Sequence, residues 1–201
     1  MDTDEVQGNK FTGFIKPVLD LIDNGVFYRK GFWLLYLLSA IASLLTPIVL
    51  LASAISSGFL GYMSFGVVLG LILAWLFVAF SYWLGFQVYW NRMKKIDTLF
   101  KEEDDFVAIP LLADYIKTSG EYICIVSVSS VPGLVLFGIV AADAAGNILP
   151  IGGTGITFVL TSIFIGILGY VVLLVSKFLA ESILALAAIA NNTKNLTKSA
   201  S

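Results

Sequence analysis

The sequence contains no histidine. That single absence excludes imidazole acid and base catalysis, histidine ligation of metals and histidine ligation of haem. There is one cysteine, Cys124, so no internal disulfide can form, and the position reads as a small apolar residue buried in a helix. Charge is equally scarce. Only 13% of the 201 residues are Asp, Glu, Lys or Arg, about half the share found in ordinary soluble domains. The net charge of −2 offers no basic surface for nucleic acid. With no histidine, no cysteine pair and no suitably spaced carboxylates, neither a cofactor nor a metal nor an enzymatic activity is expected.

What the chain has in quantity is apolar length. Hydrophobic residues make up 58% of it, and the mean hydropathy is +0.92, which marks an integral membrane protein. Charge is absent from Gly31 to Asn91, from Tyr122 to Ala142 and from Ala144 to Ser176. A helix rises about 1.5 Å per residue and the hydrocarbon layer is roughly 30 Å thick, so the first gap holds two spans and the others one each. Four transmembrane helices follow, at about 32 to 55, 63 to 87, 122 to 142 and 154 to 177.

The placement of the cations orients them. Lys10, Lys16, Arg29 and Lys30 precede the first span, Arg92, Lys94, Lys95, Lys101 and Lys117 separate the second from the third, and Lys194 and Lys198 follow the fourth. The loops around Ser56 to Met63 and Asp143 to Gly153 contain no Lys or Arg. By the positive-inside rule, both termini and the middle loop are cytoplasmic, and the chain is a multi-pass protein of the inner membrane. The polar first thirty residues lack the apolar core of a cleaved signal peptide.

Between the spans the apolar pattern becomes helical and one-sided. Residues 1 to 9 are acidic and read as a disordered tail. Phe11, Phe14, Ile15, Val18, Leu19 and Ile22 predict an amphipathic surface helix that stops at Asn24 and Gly25. After the acidic run Glu102 to Asp105, which suits a helix start better than a calcium loop, Phe106, Ile109, Leu112, Ala113 and Ile116 predict a second surface helix ending near Ser119 and Gly120. The expected fold is thus an all-α membrane protein of two parallel-repeat hairpins, residues 10 to 100 and 101 to 201, each a surface helix, two spans and a helical extension. Tyr89, Met93, Ile96 and Phe100 form a seam that carries the second helix past the bilayer. The fourth helix continues past Lys177 and Glu181 through Leu184, Leu186 and Ile189.

Several local patterns could carry function. Gly66 and Gly70, like Ser162 and Gly166, lie four residues apart and provide small faces for close helix packing, within one subunit or between subunits. Pro47 and Pro132 interrupt the two odd spans, either as packing kinks or as marks of a transport site that could also use Gln87, Lys177 and Glu181. Lys177 and Glu181, one turn apart, are a charge pair or simply a lysine reaching the headgroups beside a hydrated glutamate. Gly152, Gly153 and Gly155 are not followed by the Lys and Ser/Thr of a nucleotide loop, and the Asn191 and Asn195 sequons lie on the cytoplasmic side.

The run Phe178-Leu179-Ala180-Glu181 through Ile189-Ala190-Asn191-Asn192-Thr193, together with the Gly120-Glu121 junction, resembles the corresponding segments of small multi-span bacterial inner-membrane proteins of the Bacteroidota type, whose function is unknown. The resemblance implies a bacterial inner-membrane setting and no activity. The expected role is a non-catalytic subunit or scaffold, in contact with the lipid bilayer, that self-associates as a homo-oligomer or joins a partner protein in a larger membrane complex. The alternative is a small channel or transporter with its path near the proline-broken helices.

Overall fold

The computed structural model describes residues 25–58, 61, 63–96, 108–140 and 155–199, and they are almost entirely helical. Four helices account for them: α1, Val26–Ser56; α2, Phe65–Met93; α3, Ala108–Val140; and α4, Gly155–Ser199. All four are long and apolar enough to cross a membrane. Among the described residues there is no strand. The expected first surface helix, the acidic tail, the Glu102 to Asp105 run and the loop around Asp143 to Gly153 lie outside the described residues.

Each helix begins and ends where its backbone groups find a local solution. Gly25, at φ 68°, turns the chain into α1, and its carbonyl accepts the first helical bond from the Arg29 N–H. Gly58, at φ 69°, closes the other end, and its N–H donates to the Ile55 carbonyl. Pro110 sits in the first turn of α3, where its missing N–H is no loss.

Pro47 and Pro132 do not break the chain: α1 and α3 run through them as continuous helices. Pro47 is buried, and the Trp75 indole of α2 donates to its carbonyl at 2.9 Å. A bond from a neighbouring helix thus supports the backbone beside the kink-prone residue.

The predicted stop at Ser119 and Gly120 is absent. Residues 108 to 119 are instead the first turns of α3, which continues without interruption to Val140. Gly120 is buried, and a Cβ built on it would collide with the Ser176 side chain of α4. This glycine brings two helices together rather than ending one. Close packing on its helix neighbour overrides a helix penalty of about 1 kcal/mol.

The helices pack in chain order, α1 on α2, α2 on α3 and α3 on α4, with α1 also touching α3. Tyr36, Ala40, Tyr89, Met93, Ile96 and Leu111 form the larger buried cluster, so the predicted seam is buried at Tyr89 and Met93 of α2 and at Ile96 just beyond its end, while Phe100 lies outside the described residues. This cluster lies where Arg92, Lys94, Lys95, Lys117 and Lys177 gather, here called the charged end. A smaller cluster of Val67, Ala74 and Phe137 fills part of the far end.

The helix α4 has 45 residues, about 67 Å of helix, more than twice the hydrocarbon thickness. Gly31 offers a simple test of helix energetics. It lies in α1 with nothing within 4 Å of where a Cβ would stand, so Gly31→Ala is expected to raise stability by up to about 1 kcal/mol in a detergent-denaturation titration.

Candidate functional site: a polar knot at the charged end

Two helices bring charged groups together at the charged end, and a third reaches them with a tyrosine. Arg92, in the last turn of α2, places Nη1 3.3 Å from Asp114 Oδ1 and Nη2 3.2 Å from Glu121 Oε2. Asp114 and Glu121 are seven residues apart on α3, two turns on one face, and the guanidinium fits between them. A cation at the C-terminus of α2 also suits that helix's dipole.

The knot reaches α1 through Tyr36, which is fully buried. Its hydroxyl donates to Asp114 Oδ2 at 2.8 Å and lies 3.4 Å from Thr118 Oγ1. Thr118 donates to the Asp114 carbonyl at 2.7 Å. Both carboxylate oxygens of Asp114 are thus engaged, one by a guanidinium and one by a phenol.

Around this centre the polar tips are paired and the rings packed. Tyr89 Oη donates to Ser119 Oγ at 3.4 Å, Ser39 Oγ and Tyr115 Oη lie 3.1 Å apart, and Ser43 Oγ donates to the Tyr82 carbonyl at 2.7 Å. Tyr36 meets Tyr115 edge-on at 5.3 Å between centroids, and Tyr89 meets Tyr122 at 4.9 Å. Tyrosine suits this place because its ring buries apolar area while its hydroxyl reaches a polar neighbour.

Side-chain exposures of 26% for Arg92, 15% for Asp114 and 24% for Glu121 leave the triad largely shielded. One guanidinium and two carboxylates carry a net charge of −1. The arrangement can fasten three helices in one register. Among the described residues no three His, Cys, Asp or Glu side chains stand together as metal ligands.

The residues singled out from sequence are dispersed. Gln87 is half-buried on α2 and Pro132 is exposed on α3. Lys177 and Glu181 are both exposed on α4, and no ion pair joins them. Gly66 is exposed with nothing near it, whereas Gly70 and Ser162 are buried and a Cβ on Gly166 would meet Val131 Cγ2 at 2.9 Å.

The closest small-residue contacts fall elsewhere: Gly120 on Ser176, Gly133 on Phe77, Gly169 on Ser127 and Gly85 against the Tyr122 ring. Cys124 is half-buried, and its Cα would lie 3.5 Å from a Cβ on Gly169. Spacing in the sequence does contain a signal for the knot. Asp114, Thr118 and Glu121 stand at i, i+4 and i+7, one stripe of an unbroken helix, but a stop at Gly120 divides that stripe between two elements.

Compared with known proteins, the chain matches no family model, no curated protein and no solved structure, so the reading of this site rests on its own residues.

Proposed function

We propose that this chain is a non-catalytic integral membrane subunit or scaffold. In this reading it crosses a bacterial inner membrane four times with both termini in the cytoplasm, and associates with copies of itself or with a larger complex through α4. The observation that carries the reading is the surface of α4. That helix packs essentially on α3 alone, through Ser162, Gly166, Gly169, Ser176 and Ala180. Its opposite face stays largely apolar from Leu160 to Ile189, a dozen residues beyond Lys177, before the polar end at Asn191: Phe178, Leu186 and Ile189 are 69%, 67% and 62% exposed. Apolar surface left in water costs about 25 cal/mol per Å2, which favours a protein partner on this stretch.

The polar knot supports a structural role. Its charges are used up in holding α1, α2 and α3 together, and the residues that a transport path would need do not converge on it. The cations gathered at one end support the cytoplasmic placement of that end.

Native mass spectrometry and chemical crosslinking in mild detergent test the association. The native chain is expected to form a discrete oligomer or retain a partner. The double substitution Phe178→Asp and Leu186→Asp is expected to weaken self-association tenfold or more, since fully burying a Leu or Phe side chain is worth about 1.5–3 kcal/mol and an unpaired carboxylate in its place must be desolvated. A monomer with no retained partner at every concentration counts against the reading. Reporter fusions that find the Lys94 segment exported would overturn the topology.

A further inference from the structure

At the far end the helices part. At the charged end α1 is tied to α3, where Tyr36 and Ser39 reach Asp114, Thr118 and Tyr115 and Phe32 packs on the Tyr115 ring. Beyond them α1 follows α2, fastened by the Trp75 bond to the Pro47 carbonyl. The separation leaves a chamber of about 430 Å3, walled by Leu50 and Ala54 of α1, Ile72 and Trp75 of α2 and Phe137 of α3, with Phe158 of α4 at one side.

The chamber's lining decides what can fill it. All twelve lining residues are apolar, and the one polar side-chain atom among them, Trp75 Nε1, is already committed to Pro47. Buried water needs two to four polar partners, and a polar solute needs at least as many; the lining offers neither. An empty apolar space of this size is destabilising in proportion to its volume, because the lining loses its dispersion contacts.

Hydrocarbon remains, and the bilayer supplies it. Leu50 and Ile72, each about half exposed, belong both to the chamber wall and to the outward apolar surface of the bundle, so the chamber is continuous with the surface that lipid covers. An apolar cavity of roughly 150 Å3 admits benzene, and one nearly three times larger admits a longer aliphatic segment. We propose that this chamber is a binding site for one acyl chain of a membrane phospholipid, held between α1, α2 and α3 with Trp75 on its wall. The site does not depend on the association through α4.

Trp75 also reports on the occupant. In a full-length chain carrying Trp33→Phe, Trp83→Phe and Trp90→Phe, shown to be helical and monodisperse, Trp75 is the only tryptophan. In vesicles of phosphatidylcholine brominated in mid-chain its fluorescence is expected to fall by more than half. Adding Ala54→Phe, which fills the chamber, is expected to reduce that quenching at least twofold.

Equal quenching before and after Ala54→Phe would mean that Trp75 sees only bulk lipid. Quenching by aqueous acrylamide in place of the brominated chain would mean that the chamber is wet, and no quenching by either would mean that it is shut. Each result overturns the proposal. Independently, native mass spectrometry of the chain with its natural tryptophans, after incubation with dioleoyl phosphatidylcholine, is expected to show one retained lipid that Ala54→Phe abolishes. A natural-sequence chain that retains none also overturns it.

Discussion

Replacing Arg92 with alanine is expected to destabilise the protein by about 2–4 kcal/mol, seen as an earlier midpoint in an SDS titration followed by circular dichroism. The reason is the pair of carboxylates left behind. Asp114 and Glu121 both rely on the one guanidinium, at 3.3 and 3.2 Å, and both are more than three-quarters shielded. Without it they repel each other in a setting that hydrates them poorly. The figure lies below that for a fully buried ion pair because a residual exposure of 15–26% lets solvent screen the charges.

The same account predicts a partial rescue. The triple substitution Arg92→Met, Asp114→Asn and Glu121→Gln removes every charge while keeping much of the side-chain volume, and should be more stable than Arg92→Ala alone. If the triple variant is the less stable, the ion pairs themselves, rather than the cost of leaving carboxylates unpaired, stabilise the knot. Tyr36→Phe, which removes one hydrogen bond to Asp114, should cost less than Arg92→Ala.

Gly120→Val is expected to cost about 1–3 kcal/mol through steric overpacking, and to loosen α4 from the rest of the bundle. A side chain at this position would run into Ser176, and the Leu173 backbone lies 3.4 Å away, so α3 and α4 must move apart. Since α3 is the one substantial neighbour of α4, no other contact compensates. The distance between spin labels on exposed positions of α3 and α4, such as Leu136→Cys and Leu168→Cys in a Cys124→Ala background, should lengthen when Gly120→Val is added. An unchanged distance would show that Gly120 does not set the helix separation. Gly31→Ala serves as the control, since the same kind of substitution in open space leaves packing untouched.

The contrast between these glycines shows where sequence reading stops. Gly66 and Gly70 have the spacing of a packing motif, yet Gly66 faces open space; Gly120 looks like a helix stop and is a helix contact. Spacing along one helix identifies a face with small residues, but not whether another helix lies against it. That depends on the partner's own profile. The stripe Ser162, Gly166, Gly169, Ser176 and Ala180 works because α3 presents Gly120, Ser127 and Val131 in register. The knot was hidden for a related reason, since its i, i+4, i+7 stripe becomes visible only once α3 is known to run unbroken past Gly120.

Uncharged lengths of chain sufficient to cross hydrocarbon, and the gathering of cations around them, fixed from sequence alone that four apolar helices exist and which ends carry charge. The reason is energetic and local: a backbone in lipid must satisfy its own hydrogen bonds, and a charged side chain there is costly. Tertiary structure alone decided that Arg92 meets Asp114 and Glu121, that Tyr36 closes the knot from α1, that α4 rests on α3, and that the far end stays open around Trp75. Those outcomes depend on the register and separation of neighbouring helices, set by the fit of two surfaces at once.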